Sequence, residues 1–431
     1  MLDRSQQPEI STFKNVHLNF PHPITLNNGI PMWIVGDGED EVVRINVYMG
    51  GGAFEEAKPL LANLTGLLCL EGNDKMSASE IAEAMDYYGA VKSSQSFDHC
   101  TLVSISSTSR NFESVLNILC RCIMHPSFSE QECMLFQQRL ASYVATAQER
   151  VDYLANEEMK QLYYGKGHPL AKEVTPEVVI GITTDDYHAF HDKFYNASNC
   201  RIILSGHITQ KEIDLVDKTL GAWSKKGYTV DESDEMPFQP SEKMLSIVDK
   251  KDAMQSAVGI TIRAIPRRHP DYFKLRLTVM ALGGYFGSRL NMNIREEKGY
   301  TYGIHGFLAG RSNDSYISIV SECATQFTWP LLDEVKKEMK RLSTELMPED
   351  ELATVKQHML SQLIKTLDTP FSISEYVGES FTCGIYPEYY NEQVEAILAC
   401  TPQDVLETAQ KYLLIDKMRI VVAGDSKQLE K

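Results

Sequence analysis

The chain has 431 residues, of which 43% are hydrophobic and 23% are charged, a composition typical of a globular protein of about two to three domains. Its net charge of −17 argues against nucleic acid and anionic membranes as partners, because both attract clustered lysine and arginine. No stretch approaches the roughly 20 apolar residues of a membrane span, and no secretory signal is visible. Nine scattered cysteines without a CxxC pair indicate reduced thiols, so we expect a cytoplasmic protein.

The first half of the chain mixes strand and helix signals. Alternating apolar residues predict a strand at 43–49, and leucines at helical spacing predict a helix at 60–68. A capping box of Ser77 and Glu80 begins another helix. A long helical pattern then runs without an obvious stop from about 129 to 164.

The second half repeats the first at an offset of 218 residues. Six pairs of residues are identical at this offset, namely Pro169 and Pro387, Thr183 and Thr401, Asp186 and Asp404, Lys193 and Lys411, Arg201 and Arg419, and Gly206 and Gly424. The alternative explanation is that each half ends in a helix and a strand, and that these endings look alike only because their compositions are similar. A period near 200 residues is too long for a solenoid and indicates two domains of one fold.

The repeat gives the domain organisation. We predict an N-terminal domain at 1–228, a linker at 229–244 and a C-terminal domain at 245–431. The predicted linker is acidic, carries two prolines and lacks helical or strand periodicity. Because strands and helices do not alternate strictly, the pattern favours an α+β fold with an antiparallel sheet over a doubly wound one.

The densest motif is GGYFGSRLNMNIREEKGYTYGIHGF, which begins at Gly283. Gly283 and Gly284 form a loop whose backbone can approach a ligand closely, and Ser288 is a candidate N-cap for a short helix that ends at Gly299. We therefore expect all three residues before this helix to contribute to substrate binding.

Two polar side chains in this motif are candidates for catalysis. Arg295 falls in the last turn of the short helix, and Tyr302 lies on the following strand, so both can donate hydrogen bonds to one carbonyl oxygen. The alternative is that Arg295 pairs with Glu296 and that Tyr302 packs in the core. In a regular strand, His305 would lie on the face opposite Tyr302.

The motif resembles the C-terminal domain signature of the pitrilysin/insulinase-type zinc metallopeptidases, the inverzincins. The segments YMGGGAFEEAK, AMDYYGAV and FHDKFYNASNCRIILSG resemble other landmarks of that family, so the resemblance covers essentially the whole chain. It implies two homologous domains, each a mostly antiparallel sheet covered by helices on one face. It also implies that Arg295 and Tyr302 are the pair that contacts the carbonyl group at the scissile bond in active relatives.

The zinc-binding part of the family pattern is missing. The family's HxxEH helix aligns with the leucine-rich helix, where Asn63, Gly66 and Leu67 stand in place of His, Glu and His. Neither glycine nor leucine offers a side-chain donor atom to zinc, and asparagine is a poor ligand. The third ligand, a glutamate, would fall near Val144, and the nearest acid is Glu149. We expect no metal and no other cofactor in this chain.

The resemblance implies that the active peptidase consists of two chains. In the family's two-chain forms, one subunit brings HxxEH and its partner brings the Arg/Tyr pair. We predict a non-zinc subunit that encloses peptides and presents Arg295 and Tyr302 to a homologous zinc-bearing subunit. The alternatives are a catalytically inactive homodimer that binds peptides or has a structural role, and a stand-alone peptidase with an unorthodox metal site.

Overall fold

The structure is a computed structural model that describes residues 17–36, 38–231, 238–311 and 314–429. It has the α+β class expected from the sequence, with two sheets and their helices in one chain. Part of the predicted linker lies outside the described residues, and the boundaries at 228 and 245 stay a prediction. Among the described helices, none combines the length and apolarity that crossing a membrane requires.

The first sheet is built from the first half of the chain. Its strands are β1 (Ile24–Thr25), β2 (Pro31–Val35), β3 (Val42–Gly50), β4 (Val91–Ser96), β5 (Cys100–Thr108) and β6 (Cys200–Gly206). They lie in the order β1-β2-β6-β3-β5-β4, and every neighbouring pair is antiparallel except β2 and β6.

The second sheet has the same plan. Its strands are β7 (Leu245–Asp249), β8 (Gln255–Ala264), β9 (Thr301–Gly310), β10 (Ser315–Ala324) and β11 (Arg419–Gly424). They lie in the order β7-β11-β8-β10-β9, with β7 and β11 as the parallel pair. The first sheet has one additional strand, the short edge strand β1. The two sheets therefore confirm the prediction of two homologous, mostly antiparallel domains.

The helices follow the predicted repeat. Those of the first half are α1 (Leu61–Leu68), α2 (Ala78–Tyr88), α3 (Phe112–Met124), α4 (Glu130–Ala147), α5 (Val151–Tyr164), α6 (Pro176–Ile180), α7 (Thr184–Phe194) and α8 (Gln210–Thr219). Those of the second half are α9 (Tyr272–Val279), α10 (Thr328–Thr344), α11 (Glu349–Lys365), α12 (Pro370–Thr382), α13 (Tyr389–Ala399), α14 (Pro402–Tyr412) and α15 (Ser426–Leu429). At the sequence offset of 218 residues, α4, α5 and α7 correspond to α11, α12 and α14.

The long helix predicted at 129–164 is wrong in one respect, because it is two helices. Helix α4 ends at Ala147 and α5 begins at Val151. No glycine or proline marks the break. The reason is tertiary: α4 stays with the first half, whereas α5 packs against β8 and β11 of the second sheet.

The two halves exchange one helix each. Helix α5 packs Ala155, Met159 and Leu162 against Ala257 and Val421 of the second sheet. Helix α12 of the second half makes the corresponding contact with the first sheet. Its Val377 and Phe381 pack on Val35, Tyr48 and Ile203. Each sheet thus carries helices of its own half on one face, as predicted, and a single helix of the other half on the opposite face.

Candidate functional site

Helix α1 (Leu61–Leu68) is the element predicted to stand at the place of the family's zinc helix. Its Asn63 and Leu67 are half-buried and its Gly66 is buried. A Cβ atom on Gly66 would lie 2.4 Å from Ser94 Oγ and 2.6 Å from Thr101 Cγ2, closer than real Cβ atoms approach. Helix α1 therefore rests on strands β4 and β5 at a distance that only glycine allows.

Glu56 fixes the N-terminus of α1. Its carboxylate accepts hydrogen bonds from the N–H groups of Leu60 and Ala62, each at 3.0 Å. Burial raises the pKa of Glu56 to about 7, although these two hydrogen bonds lower it. Leu60 has a positive φ of 71°, a strained conformation for a branched residue, which this carboxylate contact holds in place.

The positions of the expected third ligand also lack a metal-binding arrangement. Val144 is 3% exposed and packs against Ala141 and Val179. Glu149 follows the end of α4, is largely exposed and pairs with Lys250. Across the described ranges, no group of three or more His, Cys, Asp and Glu side chains is placed to hold a metal ion. That α1 descends from a zinc site stays a prediction.

The short helix predicted after Ser288 is present and ends as expected. The N–H of Met292 donates to the carbonyl of Ser288 at 2.9 Å, and Gly299 has a φ of +65°. The helix is not a plain α-helix, because 291–297 has π-type hydrogen bonding, in which the N–H of Lys298 reaches the carbonyl of Asn293 at 3.0 Å. Such π-segments insert an extra residue into a helix and are frequent at functional sites.

The side-chain amide of Asn291 joins the helix to strand β9. Its Nδ2 donates to the carbonyl oxygens of Tyr285 and Ile304 at 3.2 and 2.9 Å, and lies 3.2 Å from Ser288 Oγ. The segment 280–284 lies equally close to β9, because a Cβ on Gly283 would lie 2.8 Å from the backbone nitrogen of Gly306. These contacts fix the elements that carry Arg295 and Tyr302 relative to each other.

The three predicted substrate-binding residues have different environments. Gly283 is buried at the contact with β9, Ser288 is 1% exposed, and Gly284 is exposed. A substrate-binding role for all three stays a prediction, and Gly284 alone reaches solvent.

Arg295 and Tyr302 reach the surface. The Arg295 guanidinium lies 4.6 Å from the centre of the Phe286 ring, and its Nη1 is 3.6 Å from a Glu296 carboxylate oxygen. Tyr302 is 92% exposed, so the alternative that it packs in the core is wrong. In the part of the chain that the structure describes, no hydrogen bond joins the two side chains. Tyr302 is therefore open to a molecule from outside, whereas Arg295 lies beside Glu296, the partner that the alternative named.

A β-bulge places His305 beside Tyr302. The pairing of β9 with β10 shifts so that Tyr302 and Gly303 stand opposite the single residue Glu322. The extra residue reverses the alternation of side chains, so Tyr302 and His305 line the same cavity. The prediction that His305 lies on the opposite face is wrong for this reason.

The cavity beside Tyr302 has a volume of about 610 Å³ and lies between α5 and the second sheet. Asp152 and Asn156 of α5 line it together with Glu322 of β10. Burial raises the pKa of Glu322, and the negative charge of Asp152 raises it further. The groove therefore presents acidic and amide groups next to the exposed tyrosine.

A second groove of about 470 Å³ lies at the equivalent place in the first half, between the first sheet and α12. Arg44 crosses it and pairs with Glu375 of α12 at 3.0 Å. Sequence reasoning missed both grooves and the amides of Asn291 and Asn293. The repeat offset, which places α5 on α12, is the signal that relates the two grooves.

Comparisons with known proteins agree with this architecture. Residues 181–359 match the family described as the peptidase M16 inactive domain. An uncharacterized zinc protease of Rickettsia felis is 24% identical over 396 residues, which are 90% of this chain and 93% of that protein. The crystal structure of a peptidase M16 inactive domain from Pseudomonas fluorescens has a TM-score of 0.85 at 21% identity, covering 94% of this chain and 98% of the other.

A third comparison involves a longer protein. The periplasmic protease PqqL of Escherichia coli has a TM-score of 0.78 at 18% identity, covering 99% of this chain but 47% of PqqL. M16 is the peptidase family of pitrilysin and insulinase, so these findings confirm the resemblance seen in the sequence. Residues 181–359 thus match the inactive-domain type of the M16 peptidase family, and the chain as a whole has the fold of an M16 inactive domain.

Proposed function

We propose that this chain is the non-zinc subunit of a two-chain peptidase, which supplies Arg295 and Tyr302 to a peptide held by a homologous zinc-bearing subunit. The observation that carries the proposal is the contrast between two fragments. The fragment around Arg295 and the 92% exposed Tyr302 is firmly anchored, whereas α1 has Gly66 and Leu67 where metal chemistry needs Glu and His.

The size comparison supports a pair of homologous units. PqqL is a protease about twice as long as the region it shares with this chain. The remaining part of PqqL is long enough for a second unit of this size. We infer that the present chain reaches a two-unit state by association with a homologous partner.

The chemistry of the pair follows from hydrogen bonding. In the partner, zinc would activate a water molecule for attack on the peptide carbonyl. As that carbonyl becomes an oxyanion, the Arg295 guanidinium and the Tyr302 hydroxyl donate hydrogen bonds to its oxygen. Donors that are already in place stabilise the developing charge without the cost of reorganisation. Zinc would therefore be needed only in the partner.

The acidic groove suits a peptide with basic or neutral polar side chains. Asp152 and Glu322 flank the cavity next to Tyr302, and the chain as a whole has a charge of −17.

We place the protein in the cytoplasm, in line with its nine cysteines, none of which is in a disulfide.

The test is peptide cleavage by the reconstituted pair. The chain is mixed with the zinc-bearing homologue of the same genome, and kcat is measured with a quenched fluorescent peptide. Arg295→Ala should lower kcat by about 10²–10³, the usual cost of losing an oxyanion donor. Arg268→Ala is the matched control, because Arg268 also lies over an aromatic ring, Tyr386, at 5.1 Å. Equal kcat values for the two variants would contradict the proposal.

The second candidate is a homodimer that binds peptides without cleaving them. Both grooves are present without a metal-binding cluster among the described residues, and binding requires no more than a groove. Mass photometry distinguishes the two functions. A homodimer that persists in the presence of the zinc-bearing homologue favours this second candidate, and a mixed dimer favours the first.

A further inference from the structure

A buried amide holds the segment that carries Arg295. Asn293 is 8% exposed, and its Nδ2 donates to Glu338 Oε1 at 2.7 Å and to Glu334 Oε2 at 2.9 Å. Both glutamates belong to α10, a helix of the second core. Asn293 thus ties the π-segment 291–297 to a rigid element.

The acceptor of this contact is an unusual residue. Glu338 is 1% exposed, and carboxylates are rarely buried without partners because the loss of hydration is costly. Arg341 Nη1 lies 3.1 Å from both oxygens of Glu338, and Asn293 provides the remaining contact. A buried charge with two fixed partners restricts each of them to one position.

A second contact holds the segment on the other side of Arg295. Lys298 Nζ lies 3.5 Å from a carboxylate oxygen of Glu334. Burial opposes ionisation of Glu334, yet the hydrogen bonds from Asn293 and Lys337 hold its pKa below the usual range. The segment is therefore tied to α10 both before and after the arginine.

The spacing of these residues sets the direction of Arg295. Residues i and i+2 of a helix point to different sides, so an inward Asn293 requires an outward Arg295. The π-type hydrogen bond from the Lys298 N–H to the Asn293 carbonyl adds a residue to this turn. Asn293 is thus bound through its side chain and its backbone within the same turn as Arg295.

We infer that Asn293 is the positioning residue for Arg295, and that Glu334 and Glu338 of α10 hold it in place. This inference rests on the proposed function, because Arg295 has a task only if it meets a substrate. Asn293 itself does not touch the substrate. Its loss should lower the rate of the chemical step and leave peptide binding in the groove unchanged.

The first experiment uses the purified chain alone. Hydrogen exchange of the backbone amides at 294–300 is measured by mass spectrometry for the wild type, Asn293→Ala and Asn391→Ala. We expect exchange to increase about tenfold or more in Asn293→Ala only. Asn391 is the matched control, because its amide also bonds to a distant backbone group, the Leu18 carbonyl. Unchanged exchange in Asn293→Ala overturns the inference.

The second experiment uses the reconstituted pair. Asn293→Ala should lower kcat about tenfold or more while KM changes by less than about twofold. Asn293→Asp should be at least as slow, because it places a third carboxylate against Glu334 and Glu338. Adding Glu338→Gln to it restores an amide-to-carboxylate hydrogen bond with the roles reversed, and should recover part of kcat.

The outcomes separate the inference from the proposed function. A normal kcat in Asn293→Ala, where Arg295→Ala is slow, overturns the positioning role and leaves the proposed function standing. If Arg295→Ala itself has a normal kcat, the proposed function fails, and the hydrogen exchange of the isolated chain alone decides whether Asn293 holds the segment. If Asn293→Ala does not fold, the double variant Asn293→Asp/Glu338→Gln decides by the same two measurements.

Discussion

At the scale of single residues, side-chain size decides what α1 can do. Gly66 lets α1 approach β4 and β5 so closely that a Cβ atom would overlap with Ser94 and Thr101. A glutamate at this position, as in HxxEH, requires the helix to move. If Asn63, Gly66 and Leu67 stand in place of His, Glu and His, as predicted, histidines alone would not restore a site, because Gly66 leaves no room for the glutamate.

The first prediction concerns Gly66. Gly66→Ala should lower the free energy of unfolding by about 1–3 kcal/mol, because the added methyl group overpacks a buried helix contact. Chemical denaturation measures the change. Gly167→Ala is the control, since nothing lies within 4 Å of the Cβ position there. A Gly66→Ala protein as stable as the control would show that α1 can shift at little cost.

Residue chemistry also shows how far the sequence alone could lead. Arg295 and Tyr302 were predicted as site residues because their motif resembles a family signature, and their roles stay a prediction. The location of His305 could not be predicted, because the bulge opposite Glu322 depends on the register of β9 against β10. Asn293 was missed because its partners, Glu334 and Glu338, lie about 40 residues away in the chain.

At the scale of elements, α1 depends on one carboxyl group. Glu56 caps the helix through the N–H groups of Leu60 and Ala62, and burial raises its pKa to about 7 from an ordinary value of 4.5. In the folded protein this carboxyl group holds its proton more tightly than in the unfolded chain. Its contribution to stability is therefore lost as the pH rises from about 4.5 to 7.

The second prediction follows from the upward shift in the pKa of Glu56. Between pH 5 and pH 8, the wild type should lose about 2–3 kcal/mol of unfolding free energy relative to Glu56→Gln, which cannot ionise. Urea denaturation at the two pH values measures the difference. Glu113→Gln, an exposed glutamate in the first turn of α3, should follow the wild type. Parallel pH profiles for wild type and Glu56→Gln would be incompatible with a raised pKa.

Elements were predicted well where the pattern is local and poorly where it is not. Strand β3, helix α1 and the capping box of α2 follow from apolar spacing and a Ser77 to Glu80 contact. The break between α4 and α5 lies in a segment without glycine or proline. It exists because α5 finds its apolar partners on the other sheet, which no local pattern records.

At the scale of the whole molecule, the exchange of α5 and α12 joins the two halves. Each helix is part of one half by sequence and covers the sheet of the other. Ion pairs strengthen this arrangement, including those between Arg44 and Glu375, between Asp98 and Arg311 and between Glu149 and Lys250. The halves are similar in fold but depend on each other for burial of apolar surface.

The third prediction tests this dependence. Fragments 1–228 and 229–431, produced separately, should not unfold cooperatively, because each lacks the helix that covers one face of its sheet. Mixing the two fragments should restore a single sharp transition. Circular dichroism during heating measures this. A cooperative transition of 1–228 alone would show that the exchanged helix is dispensable.

The central claim is that Tyr302 lies beside the scissile carbonyl of a peptide held by another subunit. The most direct measurement places a photoreactive benzoylphenylalanine at position 302 and adds the zinc-bearing homologue with a non-cleavable peptide. We predict a crosslink between this chain and the peptide that requires the zinc-bearing homologue. A peptide crosslink of equal yield without the homologue, or no crosslink in the mixed dimer, would contradict the account.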